Sequence, residues 1–411
     1  MNFDYETLRF IWWVLLVFTV LGLMLSEGIS LGVSMLLTLD GKSERDRRNL
    51  LAGITPTALG QLAWLTAAAL LLFAAWPIVY AVFFSSLQSL LLLMLLAWLV
   101  RPLGLYFRTA FDSLAWRRNW DKALGGSGLL IAAMLGVVCG NALKGVPFHL
   151  DSDMRIFFLG DFWGLLNPFS LLIAAVSVCL VLMYGASFTQ LKSGGNLSRG
   201  SQAWVFKAGI GFLLLFALAG LWVTRLEGYH ITSNILPGDA SNPLNKFVKR
   251  AEGLWLDNYE HVPSLWAIPV IAFLAGGATI YWSKIQRAYW AFMASMITVA
   301  FTVLTMAISM FPFLLPSNRS LNSSLTIWDA SGSQATLTAL LWVAVIALPL
   351  MALASRWAFC FSAGNVDDLS IEQHQDETFE KPLTDQVVMA ELSEQEVFNG
   401  DALTLNIDNR A

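Results

Sequence analysis

Repeated apolar runs, each about as long as a bilayer is thick, constrain this chain more than any other feature. An apolar run of about 20 residues crosses the hydrocarbon as a helix. Nine such runs stand in the sequence, at about 8–39, 53–75, 77–100, 123–143, 164–188, 203–224, 263–282, 289–312 and 336–360. They are continuous and do not alternate with period two, so helices are expected and a barrel is not. With a mean hydropathy of +0.62 and only 13% charged residues, the chain has too little polar surface for a water-soluble domain. The fold class expected is all-α: a polytopic membrane helical bundle of about nine transmembrane helices. Trp76 and Pro77 are expected to fold the second span tightly onto the third.

Basic residues set the expected orientation. Fourteen of them, among them Lys42, Arg47, Arg101, Arg108, Arg117 and Lys284, fall on one side, against eight on the other. The richer side is expected to be cytoplasmic, which places the N-terminus outside and the C-terminus inside. Tryptophans near the span ends, such as Trp12, Trp76, Trp163 and Trp282, fit interfacial belts. The opening "MNFDYETLRF" lacks the pattern of a cleaved leader, so the first span is expected to be retained.

Two domains are expected, a transmembrane part over 1–361 and a tail over 362–411. The tail holds twelve acids against two bases, so the membrane part carries a positive balance although the total is −4. Such a segment reads as a solvated, disordered cytoplasmic appendage.

One charge breaks the apolar pattern. Glu27 lies in "LGLMLSEGISLGVSMLL", about a dozen residues before the basic loop "DGKSERDRR", hence roughly 15–20 Å from that surface. An ionised carboxylate at such depth is costly and marks a functional hypothesis. Ser26, Ser30 and Ser34 recur at helical spacing beside it, and Gly28 with Gly32 forms a pair that permits close helix approach. Glu27 therefore reads either as a proton or ion site or as hydrogen-bonding glue between helices. No charged partner for it stands in the middle of any expected span.

Several chemistries find no support. The histidines are His149, His230, His261 and His374, all outside the expected spans, so paired imidazole ligands for a membrane haem are absent. Cys139, Cys179 and Cys360 form no CxxC pair and read as small buried apolar groups. No phosphate-binding Walker sequence occurs, "SGGNLSRG" is only a weak glycine-rich stretch, and nothing points to nucleic acid.

The ordered blocks "DYETLRFIWWVLL", "FAAWPIVYA", "RPLGLYFR", "WRRNWD", "GNALKGVPF", "LLNPFSLL", "ASNPLNKFVKR", "MFPFLLPSN" and "SLTIWDASGSQATL" resemble subunit II of the cytochrome bd-type quinol oxidases, over about residues 3–355. The resemblance implies a haem-free subunit in a bacterial plasma membrane, paired with a subunit I that carries b-type and d-type haems. The complex would oxidise ubiquinol or menaquinol and reduce dioxygen to water. A structural quinone in this subunit, small accessory single-helix subunits and membrane lipid are further associations it implies. It also makes Glu27, with Ser26 and Ser30, the candidates for proton transfer, and places Arg101 and Asp121 at the cytoplasmic mouth of the conduit. The chain departs from the family pattern at Leu59 and Ser30, where acids are usual. The alternatives are an assembly or scaffold paralogue without a proton role and, with less support, a proton-coupled secondary transporter.

Overall fold

The computed structural model describes residues 4–54, 58–233 and 237–361. Helix α1 (Tyr5–Leu39) runs 35 residues, about 52 Å at the usual rise, and is the hub of the bundle. The short α2 (Glu44–Ile54) doubles back along its end. Then come α3 (Ala58–Ala75), α4 (Pro77–Ser86), α5 (Gln88–Phe107) and α6 (Leu114–Lys144). A hairpin of β1 (Phe148–Leu150) and β2 (Ile156–Phe158) and the single turn α7 (Phe162–Leu165) lead into α8 (Pro168–Lys192) and α9 (Gly195–Val223). A second hairpin, β3 (Glu227–Ile231) with β4 (Val248–Glu252), and α10 (Asp257–His261) precede α11 (Ala267–Lys284) and α12 (Ala288–Met310). A third, β5 (Phe313–Leu315) with β6 (Leu325–Thr326), opens into α13 (Gln334–Phe361). All three hairpins are antiparallel.

Eight of the described helices are long and apolar enough to cross a membrane: α1, α5, α6, α8, α9, α11, α12 and α13. Each of the nine expected spans contains an apolar helix, but the second, seen as α3, is not among those eight. The third span is displaced. The run read as 77–100 breaks at Leu87, where "SSLQS" interrupts the apolar pattern, and the long helix starts at Gln88 and continues to Phe107. Trp76 and Pro77 thus turn the chain into the ten-residue α4 rather than into a second crossing helix. The segment read as a basic loop is helical in α2, opened by a reciprocal cap in which Ser43 N–H donates to Asp46 Oδ2 and Asp46 N–H to Ser43 Oγ, both at 3.0 Å.

Lipid tails are as apolar as leucine, so the helices associate through close fit and polar contacts. Glycine supplies the fit. A Cβ at Gly32 on α1 would strike the Val181 carbonyl and the backbone of Gly185 on α8. One at Gly128 on α6 would press on the Leu31 carbonyl of α1, and one at Gly136 on the Ala174 backbone of α8. The three helices α1, α6 and α8 consequently pack backbone to backbone, and α3, α12 and α13 lean on α1 around them.

Opposite the end of α1 that meets α2, the hairpins form a face of their own. Trp255 Nε1 donates to the Leu143 carbonyl (3.0 Å), and Tyr229 hydroxyl to that of Lys144 (3.2 Å). Arg9, fully buried, donates to Pro237 O (2.5 Å), Asp239 O (2.9 Å), Ser241 Oγ (2.8 Å) and Ser331 Oγ (2.7 Å). Lys246 lies 2.7 Å from Asp329, which also accepts from the Thr326 hydroxyl at 2.6 Å. Burial pushes the Lys246 ammonium down and the Asp329 carboxyl up, and their contact opposes both shifts. The expected tail, 362–411, lies outside the described residues, as does the side chain of Cys360.

Candidate functional site

Glu27 and Ser30 stand three residues apart on α1 and share one face of it. Arg101 reaches them from α5, with α6 packed against both helices. Its Nη1 donates to Glu27 Oε1 and its Nη2 to Ser30 Oγ. All three residues are buried, at 3% exposure for Glu27, 2% for Ser30 and 7% for Arg101. The second carboxylate oxygen, Glu27 Oε2, is buried with no hydrogen-bond partner among the described residues. The site is therefore a charge pair with one acceptor position left open.

Ser26 stands apart from this group. Its hydroxyl donates to Gly22 O at 2.8 Å on its own helix, and its carbonyl accepts from Gln61 Nε2 at 3.4 Å. Ser34 likewise donates back to Ser30 O (2.7 Å). Of the serine stripe, only Ser30 turns its hydroxyl to the charge pair. Gly28 faces the Tyr184 ring, whose hydroxyl donates to Leu25 O at 3.1 Å.

Arg101 and Asp121 do not meet. Asp121 on α6 belongs to a second cluster, two turns further along α5. There Arg108 Nε donates to Asp121 Oδ1 (2.7 Å) and its Nη2 to Glu44 Oε1 (2.8 Å), while Arg47 Nη1 lies 3.4 Å from Asp121 Oδ2. Arg108 and Asp121 are each 3% exposed. Near the same end, Asp40 is buried against Gly200 and accepts from Ser201 Oγ at 3.5 Å. Burial pushes the Asp40 carboxyl up, Lys42 and the Ser201 hydrogen bond pull it back, and Asp46 adds to the rise.

Sequence reasoning placed Glu27 without a charged partner because it ended the third span at residue 100. The observed α5 carries Arg101 and Pro102 inside the helix, so the arginine belongs to the bundle interior. It also missed Arg108, Arg47 and Glu44. The pattern Ser43-x-x-Asp46, a cap signature, was the available signal that α2 is a helix able to present Glu44 and Arg47 together.

The sequence model for the cytochrome bd terminal oxidase subunit II family matches residues 8–361. The chain belongs to that family. Cytochrome bd-I ubiquinol oxidase subunit 2 of Escherichia coli K12 is 39% identical over 372 residues, covering 90% of this chain and 98% of that one. Cytochrome bd ubiquinol oxidase subunit 2 of Bacillus subtilis is 25% identical over 355 residues, covering 86% and 95%. Among solved structures, a chain of the bd oxidase from Geobacillus thermodenitrificans superposes with a TM-score of 0.61 at 14% identity, over 88% of this chain and 99% of that one, which shows the shared fold.

At Ser30, where the resemblance leads to the expectation of an acid, the chain supplies a hydroxyl to Arg101. The side chain of Leu59, at the other departure, lies outside the described residues, as does Thr57. Of the histidines within the described residues, His149 lies in β1, His230 in β3 and His261 in α10. The crossing helices among the described residues thus offer no pair of imidazoles.

Proposed function

We propose that this chain is the haem-free subunit of a bd-type quinol oxidase in a bacterial inner membrane, and that it carries protons toward the partner subunit through Glu27. The whole complex would oxidise quinol and reduce dioxygen to water, with the b-type and d-type haems in subunit I. This chain holds no complete active site of its own. Its arginine-rich end, with Arg47, Arg108 and Arg117, faces the cytoplasm under the positive-inside rule, and the hairpin face lies outside.

The observation that carries the proton reading is the open oxygen of Glu27. Arg101 and Ser30 fix one side of the group, and Oε2 remains buried with no partner among the described residues. A carboxylate is a good relay where water is scarce, because the same oxygen accepts a proton and releases it. Protons would arrive from the cluster of Asp121, Arg108, Arg47 and Glu44, which lies between Glu27 and the cytoplasmic end. Arg101 would orient Glu27 without carrying the proton itself.

The test is Glu27→Gln in the assembled complex. Quinol-driven oxygen uptake should fall at least tenfold while the reduced-minus-oxidised haem spectrum keeps its amplitude. Full uptake with intact haems would sink the relay and leave Glu27 as a structural partner of Arg101, which is the scaffold reading.

A further inference from the structure

On the hairpin face, at the ends of α6 and α8, a pocket of about 100 Å³ opens between the β1–β2 hairpin and the loop at Asn318 and Arg319. A single ordered water needs only about 10–15 Å³ by such a measure, so this space holds a group of several heavy atoms. Its floor is fixed by amides. Asn141 Nδ2 donates to Val137 O (2.8 Å) and Leu165 O (2.7 Å), Asn167 Nδ2 donates to Asn141 Oδ1 (3.1 Å), and Asn318 Nδ2 donates to Gly145 O (2.8 Å). The amide donors are thus engaged, while Asn318 Oδ1, buried, has no partner among the described residues. The floor therefore presents one buried acceptor, Asn318 Oδ1, still to be met by a donor.

Its rim carries three formal charges. Lys144, Arg319 and Asp161 all line the opening, and none forms an ion pair among the described residues. Asp161 precedes α7 without using its side chain as a cap, and Gly164 keeps the space beside its carboxylate clear. The level is that of lipid headgroups, since α6 ends at Lys144, α8 starts at Pro168, and the neighbouring Trp163 is 76% exposed.

From this arrangement we infer that the pocket binds a phospholipid headgroup of the phosphoethanolamine type. The phosphodiester sits between Lys144 and Arg319, and the ammonium donates to Asp161 and Asn318 Oδ1. The charges match in sign at both ends of the headgroup, and the ammonium brings the donor that Asn318 Oδ1 still needs. The inference does not depend on the proton route through Glu27.

The test uses the purified, delipidated oxidase complex and native mass spectrometry. The probes are a short-chain phosphatidylethanolamine, a phosphatidylglycerol with the same chains, and inorganic phosphate. One phosphatidylethanolamine should bind more tightly than the phosphatidylglycerol, and Lys144→Gln with Arg319→Gln should weaken it about tenfold. Asp161→Asn, at an exposed position, should abolish the preference between the two lipids while leaving haem content unchanged. Equal binding of both lipids by the unsubstituted complex, displacement by inorganic phosphate at equal concentration, or an unchanged preference in Asp161→Asn would each overturn the assignment. If the double variant fails to assemble, the Asp161→Asn comparison decides.

Discussion

Lys246 Nζ lies 2.7 Å from Asp329 Oδ2, and neither residue is more than 3% exposed. The pair ties the loop after β3 to the segment between β6 and α13, two stretches more than 80 residues apart in the chain. Removing one partner strands a buried charge, which costs about 3–5 kcal/mol. Asp329→Asn should therefore lower the melting temperature of the purified complex sharply, whereas Lys246→Met with Asp329→Leu should recover much of the loss. A double variant no better than the single one would show that the Thr326 contact matters more than the charge.

Arg101 and Glu27 should behave as one unit. Arg101→Gln leaves Glu27 without its charged partner, and Glu27→Gln does the reverse. Both changes together should yield more assembled complex than Arg101→Gln alone, by a coupling of about 1–3 kcal/mol. Yields of haem-loaded complex for the four forms provide the measurement. Strict additivity would show that the two groups do not depend on one another in the membrane.

Gly32 should tolerate no side chain. Its missing Cβ is what allows α1 to approach Gly185 on α8, so Gly32→Leu should abolish assembly, and Gly32→Ala should cut the yield. Gly126→Ala on α6, where a Cβ meets nothing within 4 Å, is the matched control and should assemble normally. Equal yields from Gly32→Leu and Gly126→Ala would refute backbone contact as the basis of packing.

Asp40 predicts a pH effect of definite sign. Burial raises its pKa in the folded chain above the unfolded carboxylate value of about 4. Its contribution is thus fully present below the unfolded value and is lost as pH rises through the raised folded one. Asp40→Asn should melt higher than the parent near neutral pH, with the gain vanishing near pH 4. A gain that is constant with pH would exclude ionisation as its source.

The apolar runs announced the helices because a bilayer requires about 20 apolar residues per crossing, and that pattern survives any tertiary arrangement. The end of a span is weakly marked. Arg101 and Pro102 look like a helix boundary, yet α5 continues because the arginine finds Glu27 and Ser30 within the bundle. Glu27 itself was legible as an acid in an apolar run. Its partner was not, because the pairing joins two helices and no local spacing encodes it. The same holds for Arg9, whose partners lie more than 200 residues away around Pro237 and Ser331.

Helix α1 is the hub of the bundle, and it is made before α5. Glu27 leaves the ribosome 74 residues ahead of Arg101, an interval of about 4–15 s at ordinary rates of synthesis of ~5–20 residues per second. During that time the helix carries its acid into the lipid with no counter-charge yet in existence. The ion pair is therefore a product of assembly and cannot guide the insertion of α1. A delay in making α5 would lengthen the exposure of that single acid.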